Sequence, residues 1–174
     1  MSSLFVGIDS WVIQDGNYPD LAVGQSLAFA LEFRPLAVNP TKTAVVTCRR
    51  LEANRYRVDA RVLYASDDFW VIESGFRAYE GRQPPRFAKR NEFVSAEIQL
   101  GIDPFFFRSE LCHRPGVPPL EREYRVESLS MTARDAGGFE GAVEIFETRA
   151  VDDLDGRAYY VAECEVVDRP RAPR

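Results

Sequence analysis

Hydrophobic and polar residues alternate with a period of two over most of the chain. Residues 26–33 (SLAFALEF) set Leu27, Phe29, Leu31 and Phe33 against smaller or polar neighbours. Residues 55–64 (RYRVDARVLY) place Tyr56, Val58, Ala60, Val62 and Tyr64 on one side and Arg55, Arg57, Asp59, Arg61 and Leu63 on the other. In an extended chain successive side chains point to opposite faces, so each pattern predicts a strand with one face in a core and one in water. The same reading gives strands at 43–52, 69–80, 92–100, 121–131, 142–151 and 158–167, the last with Tyr160, Ala162, Cys164 and Val166 sharing a face. Gly75 interrupts the run at 69–80 and reads as a bulge.

Turn chemistry separates these runs. EANR (52–55), DAGG (135–138) and DLDG (153–156) carry the Asn, Asp and Gly residues that tolerate positive φ at hairpin tips. No segment carries a 3.6-residue apolar stripe through three turns; the best helical candidate is short, near Phe105 to Cys112. About eight to ten strands at hairpin spacing predict an all-β, antiparallel sandwich or barrel.

The motif Gly-Ile-Asp occurs twice, as GIDSW (7–11) and GIDPF (101–105). After each come a loop, a strand, a break and a hairpin of similar length. This order predicts a tandem duplication: two similar small barrel or sandwich units, 1–80 and 92–168, packed closely. Residues 81–91, with Pro84-Pro85, are the connector, and 169–174 a disordered tail. Within each motif Gly permits a bend, Ile is buried, and Asp bonds the backbone of the following turn. The aromatic plugs the end of its unit.

Composition narrows the function classes. The chain has 174 residues, 45% hydrophobic and 28% charged, an ordinary globular mixture. A net charge of −5 argues against a dedicated nucleic-acid binder, although a local basic face is compatible with it. Lys42 and Lys89 are the only lysines, and this arginine bias points to a GC-rich, bacterial coding genome. The start, MSSLFVGIDSW, has neither a basic nor an apolar signal region, and no apolar run reaches the roughly 18 residues of a membrane helix. These features predict a cytoplasmic protein without membrane attachment. Cys48, Cys112 and Cys164 form no CxxC pair and read as reduced thiols, Cys48 and Cys164 being small buried residues.

Motifs for catalysis are missing from the chain. His113 is the single histidine and adjoins Cys112, but adjacent residues of an extended loop diverge and make no nucleophile–base pair. The run VDDLDG (151–156) has Val151 where a calcium loop needs an acid, and reads as a hairpin tip. Acid pairs such as Glu73 with Glu80, or Asp67 with Asp68, lie in turns or on polar strand faces. The expectation is no cofactor, no metal and no catalytic residue.

Residues 21–29 (LAVGQSLAF) resemble the Val-Gly-Gln lead-in to a strand of S1-type oligonucleotide-binding barrels, a resemblance that implies single-stranded nucleic-acid binding. Arg82, Arg86, Lys89 and Arg90, with Phe87, form the one local positive cluster, and Arg55, Arg57 and Arg61 are its possible neighbours. Such a cluster either contacts phosphate or an acidic partner, or is a solvated linker. Trp11, Tyr18, Trp70, Phe105, Phe106 and Phe107 gather near strand ends. Three consecutive phenylalanines cannot all face one core if extended, so at least one reaches the junction between halves, the favoured place, or a pocket or interface.

The function expected from this reading is a non-catalytic protein-binding or accessory module that engages a protein partner or itself. Its binding candidates are Trp11, Trp70, Phe105, Phe106, Phe107, Arg55, Arg57, Arg82 and Arg86. Two alternatives stand beside it: a single-stranded nucleic-acid-binding barrel using the arginines, and a small-ligand binder or enzyme with an aromatic and carboxylate pocket.

Overall fold

A computed structural model describes residues 3–133, 142–148 and 158–167. Among them are eleven strands: β1 (Leu4–Asp9), β2 (Ser26–Phe29), β3 (Leu31–Thr41), β4 (Thr47–Glu52), β5 (Arg55–Ala65), β6 (Trp70–Glu73), β7 (Arg77–Glu80), β8 (Phe93–Gly101), β9 (Arg122–Ala133), β10 (Val143–Ile145) and β11 (Ala158–Val166). A short helix follows each Gly-Ile-Asp motif, α1 (Ser10–Gln14) and α2 (Pro104–Phe106), and α2 runs on into a π-helical turn, Phe107–Leu111. No helix among the described residues is long and apolar enough to cross a membrane.

Five strands close into a barrel. β3 pairs antiparallel with β8, β8 with β5, β5 with β6 and β6 with β7, and β7 returns parallel to β3. β4 lies on the edge of β5 beyond β6. Outside the barrel β10, β9, β11 and β1 follow one another, with β2 also beside β9. One parallel bridge, Gly7 to Gly101, joins β1 to β8 and so links the two groups.

The alternation seen along the chain is what the barrel needs. Val58, Ala60 and Val62 of β5 and Val94, Ile98 and Leu100 of β8 are fully buried, while Arg57 and Arg61 face solvent. The same apolar cluster continues through Leu4, Val6, Ile8, Tyr124, Val126 and Tyr160, so one core serves barrel and outer strands. β6 and β7 are buried on both faces. Trp70, Ile72 and Ala78 join the main core, and Val71 and Tyr79 join a second cluster with Phe69, Leu111 and Leu120, flanked by Phe106 and Phe107. A strand covered on both sides has no polar face to alternate with, which is why FWVI reads as continuous apolar sequence.

Several expectations change. The run 69–80 is a hairpin: Gly75 has φ +81°, and the Ser74 N–H donates to the Phe76 carbonyl at 2.9 Å. Gly75 is therefore the turn residue that positive φ demands, not a bulge. The run 26–33 breaks at Ala30, and β3 continues to Thr41 through Pro35 and Pro40. Proline donates no backbone hydrogen bond, and the ladder with β8 slips between Pro35 and Ala37. The strand expected from 43 begins only at Thr47, and helix α1 was not anticipated. The hairpin at 52–55 forms as expected, with Ala53 at φ +41°, and helical structure occupies the predicted stretch after Phe105. The turns at 135–138 and 153–156, the acidic run 151–156 and the tail 169–174 lie outside the described residues.

The all-β class and the barrel are present, but strand pairing does not divide at 81–91. β8, from the second expected unit, closes the barrel of the first, while β1 and β2 pair with β11 and β9. This connectivity gives no support to a duplication of whole units. The connector itself is built in: Ala88 is buried, its N–H donates to the Pro85 carbonyl at 2.8 Å, and the Asn91 N–H donates to the Val62 carbonyl at 2.8 Å.

Candidate functional site

The two Gly-Ile-Asp motifs meet in space. Gly7 and Gly101 are register partners on parallel strands, and Ile8 and Ile102 are both buried as expected. At the end of β8 the Asp103 carboxylate accepts from the Phe105 and Phe106 N–H groups at 2.9 and 3.3 Å, capping α2. Asp9 holds the matching position before α1 without a capping bond. Trp11 and Phe105, the fifth residue of each motif, stack on one another with ring centroids 5.5 Å apart and planes at 20°. Each was expected to plug its own unit; instead they cover each other. Trp11 is half-buried against the core, and Phe105 is 44% exposed.

Acidic groups border this ledge. Glu32 of β3 pairs with Gly101 on one side and with Tyr79 on the other. Burial pushes its carboxyl up to about 7, and the charges of Asp103, Glu80 and Asp9 add to the rise while Arg82 opposes it. Burial likewise raises Glu80, against the pull of Arg82 and Arg34; the Arg82 Nε lies 3.6 Å from the Glu80 Oε1. The Tyr79 hydroxyl donates to the Asp103 carbonyl oxygen at 2.6 Å, and burial raises its pKa well above the ordinary range. Tyr18, also raised by burial, has the Arg108 guanidinium 5.3 Å above its ring. This end of the barrel thus offers a flat aromatic surface beside carboxylates, chemistry suited to an aliphatic or cationic side chain. Among the described residues no three His, Cys, Asp or Glu side chains are grouped as a metal would require.

The other candidate residues are dispersed. Trp70 is 1% exposed and meets Phe33 edge-on at 4.9 Å, so it belongs to the core and not to a surface. Phe106 and Phe107 stack on Tyr79 at 6.0 and 6.1 Å, under the π-helical turn; Phe106 also covers Gly81, where an added Cβ would stand 3.1 Å from its ring. Helical backbone at 104–111 lets three consecutive phenylalanines point in different directions, so Phe105 alone of the three is strongly exposed.

Arg55, Arg57 and Arg61 share the outward side of β5, but acids engage all three. Arg55 Nε donates to Glu97 Oε1 at 2.7 Å with a second contact through Nη2, and Arg57 reaches the other oxygen at 3.5 Å. The Arg55 guanidinium holds Glu97 below the usual carboxylate range. Arg61 pairs with Glu73 at 2.9 Å, and Arg82 with Glu80. Arg86 stands by Ala65, at the far end of β5 from Arg55, about 33 Å along an extended strand. The stretch 21–29 leads into β2, which lies beside β9 and outside the barrel. Sequence reasoning missed Glu32, whose lone acid in an apolar alternation carries no signal of a site. Comparison with protein-family models, with curated proteins and with solved structures finds no match to this chain.

Proposed function

We propose that the protein is a non-catalytic binding module that docks a protein partner on the Trp11–Phe105 ledge. The observation that carries the reading is Phe105 itself, a large aromatic 44% exposed and stacked on Trp11. Rigid aromatics lose little conformational entropy on binding and are frequent anchors of protein interfaces. The carboxylates of Asp9, Asp103 and Glu32 near the ledge favour a partner segment that presents arginine, lysine or aliphatic side chains. Three free thiols support a reducing, cytoplasmic setting.

The test is a parallel purification from the native host of the unaltered protein, Phe105→Ala and Phe87→Ala, with mass spectrometry of the associated proteins. Phe87 is a second exposed phenylalanine, remote in sequence from the ledge. A partner recovered with the unaltered protein and Phe87→Ala, and lost with Phe105→Ala, supports the reading; an unchanged set contradicts it.

A second reading draws on the convergence of Glu32 and Asp103 with Tyr79: a small cationic ligand held at the same place. That ligand would be lost with Glu32→Gln, which leaves the ledge intact. The nucleic-acid alternative is weakened because Arg55, Arg57, Arg61 and Arg82 are each engaged by an acid, which leaves Arg86 as the one unpaired arginine of that set.

A further inference from the structure

Residues from 83–90 and the turn between β5 and β6 line an open cleft of about 500 Å³ that contains neither Trp11 nor Phe105. Its size lies within the range of small-molecule sites, roughly 300–1,000 Å³. Arg86, Lys89 and Arg90 line it, with Asp67 as the one carboxylate in the wall. Three cations against one anion make a positive cleft on a chain of net charge −5.

The charges are available. None of Arg86, Lys89 and Arg90 takes part in an ion pair among the described residues. Asp68, the neighbour of Asp67 in the turn, is held by Arg114 through two contacts of 3.0 and 2.6 Å. Unpaired like charges lining one cleft raise a positive potential there that attracts an anion.

The walls are also preorganised. Turn bonds run from Ala88 N–H to the Pro85 carbonyl, from Lys89 N–H to the Phe87 carbonyl and from Glu92 N–H to the Lys89 carbonyl, at 2.8 to 3.0 Å. Asn91, at φ +70°, ties the stretch to Val62, and Ala88 is 2% exposed beneath it. On the opposite wall the Ser66 hydroxyl is committed to Asp68 at 2.7 Å and to the Phe69 carbonyl at 3.0 Å. Two guanidinium groups and an ammonium lining one cleft are the chemistry that recognises phosphate oxygens. Gln83 and Asp67 also line the cleft, and an amide and a carboxylate suit hydroxyl groups.

We propose that this cleft binds a phosphate group, free or as the ester of a small hydroxylated molecule. A polymer backbone fits less well, because the cations that would extend the track, Arg55, Arg57, Arg61 and Arg82, are engaged by acids.

Titration calorimetry of the whole chain with inorganic phosphate, ribose 5-phosphate and ribose, at constant ionic strength, tests it. The expected result is saturable binding of one or both phosphates and none of ribose. Tighter binding of the ester identifies an esterified ligand, and equal or weaker binding identifies free phosphate. Arg86→Gln with Arg90→Gln weakens the binding about tenfold or more, since two charge-assisted contacts are lost. Arg57→Gln leaves it unchanged. All three arginines are exposed, so each variant folds, and a thermal melt without phosphate confirms it. No saturable heat from either phosphate up to about 20 mM, a range that reaches weak millimolar binding, overturns the proposal. So does unaltered affinity in the double variant, or binding of a single-stranded oligonucleotide with neither phosphate compound bound.

Discussion

Gly7 abuts the hydroxyl of Tyr159: a Cβ on Gly7 would stand 1.8 Å from that oxygen and 2.4 Å from the Asn54 amide nitrogen. Neither neighbour is free to retreat. The Asn54 amide donates to the Leu100 carbonyl at 2.6 Å and to the Tyr159 oxygen at 2.9 Å, which ties the tip of the β4–β5 hairpin to β8 and β11. Gly7→Ala is expected to destabilise the fold by about 2–4 kcal/mol, the range of strong overpacking. In a Tyr159→Ala background the penalty shrinks, because the nearest clash is gone. Urea unfolding of the four proteins in this cycle measures the coupling, and equal penalties in both backgrounds would show that the contact is unimportant.

Trp70 and Phe105 should behave oppositely on truncation. Trp70→Ala empties a fully enclosed site beside Phe33 and is expected to destabilise by about 3–5 kcal/mol. Phe105→Ala removes a ring already 44% exposed and should lower stability by about 1 kcal/mol or less. Chemical denaturation separates the two, and comparable losses would mean that Phe105 is a packing residue and not a free anchor.

Glu32 gives the fold a pH dependence. Unfolded, its carboxyl ionises near the ordinary 4.5; folded, it keeps its proton to about 7. The native state therefore holds more protons than the unfolded state across this window, so Glu32's contribution falls as pH rises from about 4.5 to 7 and is level above. At 1.36 kcal/mol per unit the loss is at most about 3 kcal/mol. Glu32→Gln abolishes this slope and is relatively stabilised at pH 8. Burial is the main cause of the shift and Asp103 the next, so Asp103→Asn narrows the window without removing it. Urea midpoints between pH 4.5 and 8 supply the check; parallel profiles for Glu32→Gln and the unaltered protein would contradict the assignment.

Much of the barrel was legible because its strands bury one face. The alternation in 55–64 and 92–100 maps directly onto buried Val58, Val62, Val94 and Ile98. Pairing partners were not legible, since a period of two says which face is buried and nothing about which neighbour buries it. That is why the strand order along the chain could suggest a duplication that the pairing does not confirm. Gly7 with Gly101 and Trp11 with Phe105 do correspond, but the strands around them pair across the supposed boundary. The site was half visible for a similar reason. Trp11 and Phe105 drew notice as aromatics at strand ends, whereas Glu32 became interesting only when β7 and β8 brought Tyr79, Glu80 and Asp103 beside it. Likewise 81–91 read as a linker from its prolines and charges. Ala88 pinned beneath it and the cations left unpaired over a cleft are tertiary facts.

β1, the first of the described strands, finds its antiparallel partner in β11, with Leu4 opposite Cys164 and Asp9 opposite Tyr159. On a ribosome, then, the opening strand must wait until some 160 further residues have emerged, at roughly 5–20 residues per second. During that interval Leu4, Val6 and Ile8 lack the neighbouring strand that β11 supplies. The barrel strands can assemble in the meantime from residues 31–101, leaving the nascent chain with a finished cylinder and an orphaned first ribbon. Chaperones that hold such ribbons during synthesis would meet this chain at β1.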